Sequence, residues 1–84
     1  PPILELERPQ SGDILRGEDR EVKVEGKTEE GIRITVNDRV VIVGSDGMFG
    51  TNIPLTVGEN TIRVVAFDSY GNQTTLERIV FYEE

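Results

Sequence analysis

Sixteen Asp and Glu side chains are the most plentiful reactive groups in this 84-residue sequence. Glycosidic-bond hydrolysis needs only two carboxylates whose environments push their pKa values apart. Carboxylates that alternate with apolar residues along strands have a simpler role, which is to keep a surface wet. The sequence contains no Cys and no His. Thiolate sites, imidazole bases and cysteine nucleophiles are therefore missing from the inventory, and Ser11, Ser45 and Ser69 have no His to act as base. No catalytic residue is assigned, and the chain is read as a non-enzyme.

The other chemistry open to oxygen donors is a hard cation. Asp68, Ser69 and Asn72 fall in one polar stretch and Asp46 in another, so Asp68, Asn72 and Asp46 are the metal-ligating candidates and Ca²⁺ is the cofactor they suit. Their spacing does not match an EF-hand loop. The reading adopted is that Asp68 and Asn72 hydrogen-bond the backbone of their own turn, as such side chains do, with no cofactor required. Gly44 to Gly50 has the glycine density of a phosphate loop but lacks a following helix and a Lys, so it is read as a hairpin turn. Phe67, Tyr70, Phe81 and Tyr82 are the aromatics available for stacking on a sugar face, and Tyr70, placed at a loop tip, is the interaction candidate.

Nine Lys and Arg against sixteen Asp and Glu leave a net charge of −7, which opposes approach to phosphate backbones and anionic lipid. The longest apolar runs, such as Val40 to Val43, are far shorter than the roughly 20 residues of a spanning helix, and no signal-peptide pattern opens the chain. Neither nucleic acid nor membrane insertion is expected. Pro1-Pro2 reads as the stiff end of a linker, so residues 1–84 are taken as one domain excised from a longer protein.

These groups are positioned by strands. Apolar residues recur with period two, and Gly, Asn and Asp interrupt them at short intervals. Val22 and Val24 alternate with Glu21, Lys23 and Glu25; Ile32, Ile34 and Val36 repeat the parity. Asn37-Asp38 predicts a two-residue hairpin, and Asp46-Gly47 a second turn leading into Phe49, Ile53 and Leu55. Pro54 places its strand at an edge or bends it. Thr61 to Phe67 is apolar on both faces and so central, while Thr74 to Tyr82 leaves its parity open between Leu76, Val80, Tyr82 and Ile79, Phe81. Gln10 to Arg20 is polar and predicted to switch between sheets. Gly26, Gly47, Gly58 and Gly71 are read as strand ends with positive φ. About seven short strands result, an all-β immunoglobulin-like sandwich of two antiparallel sheets, with a small closed barrel as the runner-up.

Val24-Glu25-Gly26, Val36-Asn37, Asp46-Gly47-Met48-Phe49, Leu55 to Asn60 and Ala66-Phe67-Asp68 with Gly71-Asn72 follow one another in an order that resembles bacterial immunoglobulin-like modules of secreted enzymes and surface proteins. The order is especially similar to the accessory immunoglobulin-like domain of glucodextranase and its relatives, and it spans nearly the whole chain. Asp38 departs from it, since Gly usually follows the Asn there. The resemblance implies a structural or spacer module outside the bacterial cytoplasm or in the cell envelope, whose partners are neighbouring domains of the same chain. A glycan or calcium ligand is the alternative, and no catalytic residues are transferred.

Overall fold

The computed structural model describes residues 2–18 and 20–84. It contains eight strands and, among the described residues, no helix: β1 Glu5–Arg8, β2 Ile14–Arg16, β3 Glu21–Lys27, β4 Arg33–Val36, β5 Arg39–Val41, β6 Met48–Pro54, β7 Gly58–Phe67 and β8 Gln73–Glu83. They form a three-stranded sheet in the order β1-β3-β6 and a five-stranded sheet in the order β2-β8-β7-β4-β5. The sandwich is as expected, and the chain does switch sheets between β1 and β2. The added strand is β2, which pairs parallel to β8 through Ile14 with Phe81 and Arg16 with Glu83, whereas the other pairs are antiparallel.

The period-two pattern places the core. Val24, Ile34, Val36, Ile62, Val64 and Val80 are fully buried between the sheets, each contributing about 1.5–3 kcal/mol relative to exposure. Val22, Phe49 and Ile53 join them from the three-stranded sheet, and Leu55 from just past the end of β6. β7 is the central strand of its sheet and β6, carrying Pro54, is an edge. The open parity of β8 resolves in favour of Val80 and Tyr82, which are buried, while Ile79 and Phe81 lie on the outer face.

Asn37 and Asp38 have φ of 47° and 68°, the two left-handed residues of a type I′ hairpin between β4 and β5. The Asn37 side chain also accepts from the Arg63 amide at 2.8 Å, which ties the hairpin to β7. Asp38 is thus accommodated where a Gly is usual, because Asp tolerates this conformation at small cost.

Several expectations are corrected. Asp46-Gly47 is a turn, but β5 pairs with β4 and β6 with β3, so it carries the chain from one sheet to the other instead of closing a hairpin. Gly47, Gly58 and Gly71 have positive φ, whereas Gly26 does not; its requirement is steric, as a Cβ there would meet the Glu5 carbonyl oxygen and the Phe49 ring. Tyr82 belongs to the core. Pro2 is buried and its carbonyl accepts Thr74 Oγ1 at 2.6 Å, so it packs with the domain; Pro1 lies outside the described residues.

Strand directions put Pro2 and Glu84 at opposite ends. β1 starts beside the last residue of β3, Glu5 against Lys27, at the end where β7 finishes and β8 begins. β8 finishes where β7 starts, Tyr82 against Gly58. The molecule as a whole measures 42 × 20 × 18 Å.

Candidate functional site

The loop from Phe67 to Gln73, joining β7 to β8, is built by one side chain. Asp68 Oδ1 accepts from the amides of Tyr70 and Asn72 at 2.8 and 2.9 Å, and its Oδ2 accepts from Asn72 Nδ2 at 2.9 Å. The Asn72 carbonyl in turn accepts from the Asp68 amide, and Gly71 supplies the positive φ of 87° that lets the chain return. The Asn72 side-chain donor is the largest influence and holds the Asp68 carboxyl below its ordinary value of 3.8; desolvation opposes it, and the Asn72 and Tyr70 amides add to the lowering. Hydrogen bonds to the ionised form favour it.

Asp46 uses the same device in its own loop, where Oδ1 accepts from the Met48 amide at 3.0 Å. Gly47, in this turn, is buried against Thr28: a Cβ there would clash with the Thr28 carbonyl oxygen. The Asp46 and Asp68 loops share one end of the sandwich, yet among the described residues no three Asp or Glu side chains converge. Asp68 and Asp46 bond the backbone of their own turns as expected, whereas the Asn72 side chain bonds the Asp68 carboxylate and not the backbone, because that acceptor lies within its reach across the turn.

The four aromatics do not form a platform. Tyr82 points inward and its hydroxyl donates to the Gly17 carbonyl, with the Arg20 guanidinium 5.6 Å from its ring centre. Phe67 and Phe81 share the outer face of the five-stranded sheet, but Phe67 pairs with Gln73 and Phe81 with Glu59, about 27 Å apart at strand spacing. Tyr70, at the tip of the Asp68 loop, is 89% exposed.

Beside that loop the outer face is concave. A depression of about 620 Å³ is lined by Arg33, Thr35, Val40, Phe67, Asp68 and Ser69. Cross-strand register brings them together: Arg33 lies opposite Phe67 on β7, and Thr35 lies between Val40 and Val65. Arg33 was not singled out from sequence. Its only local signal is outward parity at a strand start, and its neighbours come from a strand more than thirty positions on. A smaller hollow of about 230 Å³ lies where the chain crosses from β1 to β2, lined by residues that include Pro9, Leu15 and Val22.

The model of the family described as Glucodextranase, domain B matches residues 2–83. Amylopullulanase of Thermoanaerobacter thermohydrosulfuricus is 30% identical over 56 residues, which is 67% of this chain and 4% of that protein. Among solved structures, the fibronectin(III)-like modules of Clostridium thermocellum CbhA superpose with a TM-score of 0.69 at 17% identity, covering 96% of each chain. A β-galactosidase structure from Bacteroides fragilis superposes with a TM-score of 0.66 at 21% identity, covering 99% of this chain and 13% of that one. The structural likenesses speak to the fold alone.

Proposed function

The chain belongs to the glucodextranase domain B family, an accessory domain of multidomain proteins, and from that premise we propose that it is a non-catalytic spacer holding neighbouring domains of one extracytoplasmic polypeptide at a set distance. The observation that carries the reading is the placement of Pro2, bonded to Thr74 near the start of β8, and Glu84, just past its last residue, at opposite ends of the longest strand. Two attachment points so placed separate whatever is joined to them by the length of β8, and a packed sandwich holds that separation without the spread of a flexible linker.

Both ends are tied to the body, which a rigid spacer requires. At the first, Thr28 Oγ1 donates to the Ile3 carbonyl at 2.5 Å and Thr74 Oγ1 to that of Pro2. At the other, Arg16 bonds Glu83 at 2.6 and 2.9 Å and Arg20 bonds Glu84 at 2.5 Å. The small share of the amylopullulanase that the chain spans and the acidic surface, suited to a soluble module, further support this reading.

The test uses the absence of native Cys. Spin labels on Ile3→Cys and Glu84→Cys report the end-to-end distance by pulsed electron resonance. Pro2 lies beside Thr74, so one narrow distribution near the roughly 33 Å that ten extended residues of β8 span is expected; a broad distribution, or a much shorter distance, would end the spacer reading.

A further inference from the structure

We propose that the depression beside the Asp68 loop is a subsite for a neutral sugar chain, with Phe67 and Val40 under different rings of the chain and Arg33 and Asp68 on its hydroxyls. The proposal goes beyond the spacer reading and does not depend on it. A sugar ring presents an apolar face of C–H groups and a rim of hydroxyls that both donate and accept. Small-ligand sites of this kind combine an apolar floor with a few convergent polar groups, and the depression has that composition.

The two charged side chains are prepared differently for such a ligand. Arg33 is exposed and makes no ion pair among the described residues, in contrast to Arg8, Arg16, Arg20 and Arg63. Its planar fork of donors is therefore uncommitted, and it lies one cross-strand step from Phe67. Asp68 is committed in part: Oδ1 accepts two amides and Oδ2 accepts Asn72 Nδ2. A carboxylate has about four lone-pair positions, so Oδ2 keeps one for an incoming hydroxyl while the loop holds the group still. An acceptor already ordered costs the ligand little to engage. Thr35 and Ser69 add hydroxyls to the lining, and Tyr70, the next residue, presents an exposed ring at the loop tip.

Charge decides between ligand classes. One Arg faces one ionised Asp in a chain of net charge −7, so an anionic sugar or a phosphate meets a carboxylate with no surplus of cations to offset it. A neutral chain meets one donor fork and one fixed acceptor, which its hydroxyls match.

The experiment is a titration of the ¹⁵N-labelled chain, followed by amide chemical shifts, with maltohexaose and cellohexaose in separate arms and trigalacturonate as the anionic arm. Saturable shifts with at least one glucan, centred on residues 33–40 and 67–71, are expected. Arg33→Gln, on an exposed side chain, should leave the rest of the spectrum in place and weaken binding about tenfold, the worth of one charge-assisted hydrogen bond. Phe67→Leu, which keeps apolar bulk and removes the ring, should weaken it too. Silence of both glucans to their solubility limit would overturn the proposal. So would shifts centred on Ile14 and Phe81, tighter binding of trigalacturonate, or indifference to both substitutions.

Discussion

Gly26 lies directly against the ring of Phe49: a Cβ at position 26 would stand 2.6 Å from Phe49 Cζ, and 2.5 Å from the backbone oxygen of Glu5 on the other side. The glycine is therefore where two elements close on a third, with β1 and β6 both pressed onto β3. One neighbour is a ring inside the core and the other is backbone, so neither yields cheaply. Gly26→Ala should destabilise the fold by roughly 1–3 kcal/mol, the usual cost of overpacking. Urea unfolding followed by circular dichroism measures it, and an unchanged midpoint would mean that β1 moves aside at no cost.

Tyr82 offers a hydrogen-bond test in the same core. Its hydroxyl donates to the Gly17 carbonyl and ties the end of β8 to the loop after β2. Tyr82→Phe keeps the ring and deletes the donor, for an expected loss of about 0.5–1.5 kcal/mol. The same denaturation measurement, compared with Gly26→Ala, separates a lost bond from a steric clash by its smaller magnitude.

The alternation along β3 and β7 makes a paired prediction. Val64 is fully buried, and Val64→Ala should cost about 2–4 kcal/mol through lost burial and the cavity left behind. Glu25 faces solvent, with Arg8 at 3.2 Å and Lys23 at 3.9 Å, and such exposed pairs are worth under about 1 kcal/mol. Thermal melts that rank Glu25→Ala below Val64→Ala would contradict the assignment of the strand faces.

What could be read from the residues alone follows from how local each feature is. Val22, Val24, Ile34 and Val36 were placed correctly because one strand's alternation suffices, and Asn37-Asp38 because a type I′ turn depends on its own two residues. β8 stayed open because Leu76, Val80 and Tyr82 on one side and Ile79 and Phe81 on the other are equally apolar; only packing against β7 and the three-stranded sheet separates them. β2 was not legible as a strand, since three residues carry no period and its partner Phe81 lies 67 positions from Ile14. The Asp68 half of its loop was legible because the Asx device closes within five residues; the bond between the Asn72 and Asp68 side chains was not, because it depends on how the folded turn brings them together. The depression was not, because Arg33, Val40 and Phe67 meet only through the register of three strands.

Asp68 sets a pH dependence whose sign follows from its bonds. Its folded-state pKa lies below the ordinary 3.8, chiefly through Asn72. A carboxyl with a depressed folded pKa adds stability that is full above its unfolded value and is lost as pH falls through the folded one. Asp68→Asn keeps an oxygen for the Tyr70 and Asn72 amides but replaces the charge-assisted bond to the Asn72 side chain with a weaker neutral one, formed once the Asn72 amide turns its oxygen to the new NH₂. The melting temperature of the variant should therefore fall below that of the unaltered chain at neutral pH, with the gap constant down to about pH 4 and closing in stronger acid. A gap independent of pH would show that the Asn72 contact does not depend on the charge.

The parallel pairing of β2 with β8 predicts how the domain bears load. Force applied at Pro2 and Glu84 draws β2 and β8 in opposite directions along their shared axis, so the bonds joining Ile14–Arg16 to Phe81–Glu83 are loaded together in shear. The antiparallel β1–β3 pair, reached from the same end, is sheared as well. Ser45 and Ser69 instead sit in two loops at one end, and pulling them apart opens strand pairs one bond at a time. Forced unfolding is governed by the barrier to the first rupture, and breaking several bonds at once presents a higher barrier than breaking them in succession. A chain with attachment points at Ile3→Cys and Glu84→Cys should therefore unfold in a single-molecule pulling experiment at a distinctly higher force than one attached through Ser45→Cys and Ser69→Cys, at equal pulling speed. Equal forces in the two directions would mean that β2 and β8 do not carry the load, and that a spacer of this design would hold its length only at rest.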